Sequence, residues 1–95
     1  MTSSERAKLR GLAMTIEPVV TIGKNGLTES LIQEIDEQLE AKELIKINVL
    51  KNADLGAKDV IAEVAESVNA QPVQALGNKI TLYRVSKRKD VKHIL

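Results

Sequence analysis

Val19-Val20-Thr21-Ile22-Gly23-Lys24-Asn25-Gly26-Leu27-Thr28-Glu29 decides the fold, because it passes from a strand through a glycine-bracketed loop into a helix. Val19 to Ile22 are mostly β-branched, and such side chains fit a pleated, half-buried surface. Thr28 followed by Glu29 reads as a helix N-cap with an acid in the first turn. Leu27, Leu31, Ile35 and Leu39 recur at a spacing of four, and Ile32 widens the stripe. Glu29, Glu34, Glu37 and Glu40 take the opposite face, so an amphipathic helix runs to about Ala41.

The same pattern continues in both directions. Upstream, Thr2-Ser3-Ser4-Glu5 fits a capping box, a hydroxyl followed three residues on by Glu. Leu9, Leu12, Ala13 and Ile16 then have helical spacing, and Pro18 ends that helix near Met14 or Thr15. Downstream, Ile45, Ile47 and Val49 alternate with Lys46 and Asn48, as in a half-buried strand. Asp54 can cap a third helix with Ala57, Ile61, Val64, Ala65 and Val68 on its apolar face, while Gly56 weakens its first turn. Val73 to Leu76, Gly77-Asn78, and then Ile80, Leu82 and Tyr83 read as a two-residue hairpin.

The order is therefore α-β-α-β-α-β-β. The two strand-helix-strand units imply parallel pairing, and the hairpin adds an antiparallel pair. The expected product is an α/β two-layer sandwich, a four-stranded mixed sheet with helices mainly on one face. Lys46, Asn48, Gln74, Thr81 and Tyr83 would line the other face, leaving it solvated or covered by a partner.

Gly23-Lys24-Asn25-Gly26 sits where a helix N-terminus offers unpaired amides and partial positive charge, a setting suited to an anion. Glycine lets another backbone approach closely, and Lys24 adds a mobile cation. KH domains clamp nucleic-acid backbone with a Gly-x-x-Gly loop, although a strand-to-helix turn uses such residues anyway. The loop is not a Walker A motif, because Leu27-Thr28 follows the second glycine, and a dinucleotide fingerprint lacks its third glycine. No nucleophile stands beside a base in a recognisable pattern. A binding protein is expected, then, with no catalytic residue and no cofactor.

Composition narrows the classes further. Ninety-five residues make one domain. There is no Cys and a single His, His93, so neither a disulfide framework nor a Cys/His metal site is expected. No apolar run approaches a membrane span, and Met1 to Arg6 lack the order of a secretory signal, which together suggest a cytoplasmic location; a monomer is expected. The formal net charge is only +1, but charges are segregated along the chain. Residues 29–43 hold six acids against Lys42, and residues 79–92 hold six bases against Asp90. A bipolar surface is the expectation.

Cations that could join Lys24 are Lys8 and Arg10, Lys46 on the polar side of its strand, Lys79 and Arg84 beside the hairpin, and Lys87 in the tail. Arg84 could equally pair with a helix acid, and Lys8 and Arg10 could simply solvate their helix. Tyr83 is the only aromatic residue. Single-strand binders usually stack bases on several aromatics, so recognition here should rest on backbone and shape.

Ile22-Gly23-Lys24-Asn25-Gly26-Leu27-Thr28 resembles the signature of the CRM domain (chloroplast RNA splicing and ribosome maturation) in its stand-alone bacterial form, the YhbY family. Leu9-Arg10-Gly11-Leu12-Ala13, Pro18-Val19-Val20, Glu43-Leu44-Ile45-Lys46-Ile47, Val73-Gln74 before Gly77, and Leu82-Tyr83-Arg84 agree in order and spacing, so the resemblance spans residues 9–84. It implies a fold like the C-terminal domain of translation initiation factor three. It also implies RNA contact through the glycine loop and nearby bases, with ribosomal RNA in large-subunit precursors as partner. Residues 1–86 would form the RNA-binding domain and 87–95 a basic tail. Alternatives are a protein-interaction module or a nucleotide-phosphate-binding protein using the same loop. This chain departs from the family pattern at Met14, where His is common, and at Val68-Asn69-Ala70, where Thr-Gly is common; Asn tolerates the left-handed geometry of such a turn.

Overall fold

A computed structural model describes residues 1–50 and 56–95. The elements are α1 (Ser3–Ala13), β1 (Pro18–Ile22), α2 (Glu29–Lys42), β2 (Leu44–Val49), α3 (Ala57–Ser67), β3 (Gln71–Leu76) and β4 (Lys79–Tyr83). The local signals act as read. Thr2 Oγ1 accepts from Glu5 N–H at 3.0 Å while Glu5 Oε1 accepts from Thr2 N–H at 2.9 Å, a closed capping box. Thr28 Oγ1 caps α2 by accepting from Leu31 N–H at 3.1 Å. At the head of α3 the N-cap position is Gly56, whose N–H donates to the Asp59 carboxylate at 3.1 Å. Asp54, the expected cap, lies outside the described residues.

The sheet order is β1-β2-β4-β3, with β1 and β2 parallel and β4 antiparallel to both its neighbours. This corrects one expectation. The first strand-helix-strand unit makes a direct parallel pair, but β2 and β3 are separated by β4. The hairpin strand folds back into the gap, where Ile80 and Leu82 become fully buried at the centre of the sheet. A two-residue turn links Leu76 to its register partner Lys79, with Gly77 at φ 61° in the first central position, as a type II′ turn requires. Asn69 holds φ 54° after α3, and Ala70 N–H reaches Ala65 O at 2.8 Å. The helix thus ends in a left-handed residue, a position that usually takes Gly and sometimes Asn.

Two of the three helices, α2 and α3, cover one face. Ile35, Leu39, Val60 and Val64 meet Ile45, Ile47, Ile80 and Leu82 there. The second face is not simply open: α1 crosses it and buries Leu9 against Leu44, Val73 and Tyr83, with Ile16 and Ile94 packed alongside. Removing a leucine side chain such as Leu9 from water contributes about 1.5–3 kcal/mol, enough to dock a short helix. Both outer strands are irregular. The β1–β2 register shifts between Pro18 and Val20, and the β3–β4 register between Pro72 and Gln74. Arg6 Nη1 donates to Pro72 O at 2.9 Å.

The C-terminal segment, read from the sequence as a basic tail, returns to the body. Ile94 packs on the α1 cluster, and Lys8 Nζ donates to Ile94 O at 3.0 Å.

Candidate functional site

The glycine loop leaves the end of β1 as a tight turn in which Gly26 N–H donates to Gly23 O at 3.0 Å. Gly26 has φ 68°, a left-handed conformation that glycine enters without strain. Gly23 has no such requirement, and a Cβ there would meet only Leu50 Cδ1 at an ordinary 3.5 Å. Lys24 and Asn25 are exposed at the tip. Thr28 and Glu29 already answer part of the polarity at the α2 N-terminus, so the turn itself, rather than the helix end alone, presents the backbone.

From this loop a polar row crosses the second face. Thr21, Asn48, Lys79 and Leu76 are successive register partners on β1, β2, β4 and β3. The neighbouring row is Pro18, Lys46, Thr81 and Gln74. Lys79 Nζ is held 2.6 Å from Asn48 Oδ1 and 3.4 Å from Asn78 Oδ1, so amide carbonyls orient its ammonium without neutralising it. Salt bridges among the described residues involve only Arg84, Arg88 and His93 as bases, leaving Lys24, Lys46 and Lys79 without a carboxylate there. Arg10 is exposed in the last turn of α1, on the same side of the sheet. Lys8 shares that helix, with its ammonium turned to Ile94 O.

Arg84 is placed elsewhere. Its guanidinium donates to Asp36 Oδ1 at 2.7 Å, Glu40 Oε2 at 3.0 Å and Val68 O at 2.6 Å, tying the end of β4 to the C-terminal half of α2 and the end of α3. The Lys87 N–H donates to Glu40 Oε1 at 3.1 Å, and both residues line an open groove of about 730 Å³ on the helical side. The structure therefore brings Lys46 and Lys79 together on the sheet face that Thr21 joins just before the loop, with Arg10 and Lys8 on the flanking helix, but sets Arg84 and Lys87 among the acids of α2. The segregation of charge along the chain thus survives only in part: Lys46 and Lys79 lie on the face away from α2, whereas Arg84 and Lys87, from the basic C-terminal block, lie against its acids.

Sequence reasoning missed Glu43. It follows α2 with φ 65° and no exposed surface. Its carboxylate accepts from Ser86 N–H at 2.6 Å and Ile94 N–H at 2.9 Å, and lies 2.7 Å from His93 Nδ1. Burial pushes this carboxyl up, but the three hydrogen bonds outweigh burial and hold it below the ordinary glutamate range. All three partners lie more than forty residues away, so no local pattern announces the role. Tyr83 packs under α1, and burial, followed by the charges of Glu43 and Glu5, pushes its phenol up.

Among the described residues no cluster of His, Cys, Asp or Glu could hold a metal ion, and no helix is long and apolar enough to cross a membrane.

Comparison with known proteins gives concordant results. The family model for the CRS1 / YhbY (CRM) domain matches residues 1–84. A Bacillus subtilis protein named "Probable RNA-binding protein YqeI" is 38% identical over 87 residues, covering 92% of this chain and 91% of its own. A Haemophilus influenzae protein named "RNA-binding protein" is 36% identical over 93 residues, covering 97% and 93%. The solution structure of the hypothetical protein SAV1595 from Staphylococcus aureus superposes with a TM-score of 0.71 at 38% identity, over 95% of this chain and 94% of that one.

Proposed function

Because the chain belongs to the CRS1/YhbY (CRM) domain family, we propose that it is an RNA-binding protein, not an enzyme, whose partner is ribosomal RNA in precursors of the large ribosomal subunit. The observation that carries this reading is the continuity of the Gly23–Gly26 turn with a sheet face on which Lys79 and Lys46 occupy adjacent rows, without a carboxylate partner among the described residues. Gly23 lets the RNA backbone approach, Lys24 and the loop amides take a phosphate, and Lys46, Lys79 and Arg10 follow the chain across the sheet. Lys8 contributes through its field from α1. Arg84 and Lys87 are left out, since Arg84 is satisfied by α2 acids and both lie on the helical side. The relatives' names support RNA as the partner class, and the protein acts as a cytoplasmic monomer without a cofactor.

Sedimentation of cell extract tests the reading. The protein should co-migrate with large-subunit precursors through a moderate salt wash, and the combined Lys24→Ala, Lys46→Ala and Lys79→Ala variant should remain at the top of the gradient. Parent protein that remains at the top, or a variant that still co-migrates, would refute the assignment. Crosslinking followed by sequencing of the attached RNA would name the site.

A further inference from the structure

We propose that the open half of the second sheet face seats one unpaired nucleobase of the RNA strand that enters at the glycine loop. This inference rests on the RNA-binding reading above and adds to it a contact that reads a base rather than a phosphate. The row Thr21, Asn48, Lys79, Leu76 leads from the loop across all four strands. With adjacent strands about 4.8 Å apart, the row spans about 14 Å, a distance that a few nucleotides cover.

At the far end of the row a shallow hollow of about 90 Å³ opens between Met14, Leu76, Lys46, Lys79, Gln74 and Thr81. Three observations fit it to a nucleotide. Met14 and Leu76 are 82% and 68% exposed, two large apolar side chains at the rim of an otherwise polar face. Lys46 and Lys79 flank the same hollow without a carboxylate partner among the described residues, so an apolar surface is bracketed by cations. That alternation matches the apolar face and anionic linkages of a nucleotide. Finally, Thr81 lines the hollow although only 2% exposed. A hydroxyl in that lining can meet a donor or acceptor on a base edge.

The seat is aliphatic. Tyr83 lies under α1, so the base would be held by burial against Met14 and Leu76 instead of aromatic stacking. The expected gain is correspondingly small, roughly fivefold in affinity, equivalent to burying one or two methylene groups.

Fluorescence anisotropy on the full chain, with an oligouridine octamer and an abasic ribose-phosphate octamer as probes, tests this. The parent should prefer the base-bearing chain roughly fivefold, and raising the salt should weaken both probes alike while keeping the ratio. Leu76→Ser combined with Met14→Ser, both at exposed positions and checked by circular dichroism, should remove the preference and leave abasic affinity unchanged. Equal affinity of the parent for the two probes overturns the base seat while RNA binding stands. A preference that persists in the double variant overturns it too, as does an equal loss for both probes. If neither probe binds the parent at low salt, the RNA-binding reading itself fails, and this inference with it.

Discussion

His93 Nδ1 lies 2.7 Å from Glu43 Oε2, a carboxylate oxygen with no route to solvent, which thereby fastens the C-terminal segment to the junction of α2 and β2. The carboxyl is held below its usual range, so its contribution to stability is complete above the unfolded value near 4.5 and is lost as pH falls through the lower, folded value. Thermal unfolding should therefore show little change from this group between pH 7 and 5 and a decline below pH 4.5. Glu43→Gln should cost about 2–4 kcal/mol at neutral pH, because an amide group faces donors where an acceptor stood. The same variant should flatten the acid limb of a melting-temperature profile.

The two loop glycines should separate in their effects. Gly26→Val places a β-branched residue at φ 68°, and should cost roughly 2 kcal/mol of stability. Gly23→Ala adds a Cβ in ordinary contact with Leu50, and should leave stability within about 0.5 kcal/mol. If RNA backbone approaches there, Gly23→Ala should still weaken RNA binding about tenfold, or 1.4 kcal/mol. Melting curves together with binding titrations distinguish these cases.

Arg84→Ala and Lys24→Ala should behave in opposite ways. Arg84 bonds two acids and a helix-end carbonyl while 16% exposed, so its loss should cost about 2 kcal/mol of stability. The folded fraction should bind RNA as the parent does. Lys24→Ala should melt like the parent and bind RNA several-fold more weakly.

Salt dependence counts the phosphates. With Lys24, Lys46, Lys79 and Arg10 each neutralising one, log affinity should fall against log salt with a slope of roughly −3 for a single strand. A slope near zero would mean that these bases do not face RNA.

Much of this fold can be read from the chain because its punctuation is local. Thr2 and Thr28 find their partners three residues on, and Gly77 and Asn69 adopt the conformations their residue types favour. The placement of α1 is harder to read. Along β2 and β4 the residues facing it, Leu44 and Tyr83, share strand parity with Lys46, Asn48 and Thr81. A face half apolar and half polar then reads as polar throughout. The strand order escapes for another reason: a hairpin motif predicts that β4 pairs with β3, but not which other strand β4 joins. The loop and the strand lysines proposed here as the site stand out in the sequence by residue type and position. The partners of Arg84 and Glu43 lie across the fold, so their structural commitment emerges only once the chain is closed.

The outer strands have a consequence for how this molecule survives among its own copies. A mixed sheet with two free edges can act as a template for strand addition and aggregation. Here β1 begins at Pro18 and β3 contains Pro72, each next to a break in register, and Arg6 occupies the Pro72 carbonyl. Proline supplies no donor, and a bulge turns the neighbouring groups out of line. The protein can thus leave half of its second sheet face uncovered while its edges discourage a second copy from extending the sheet.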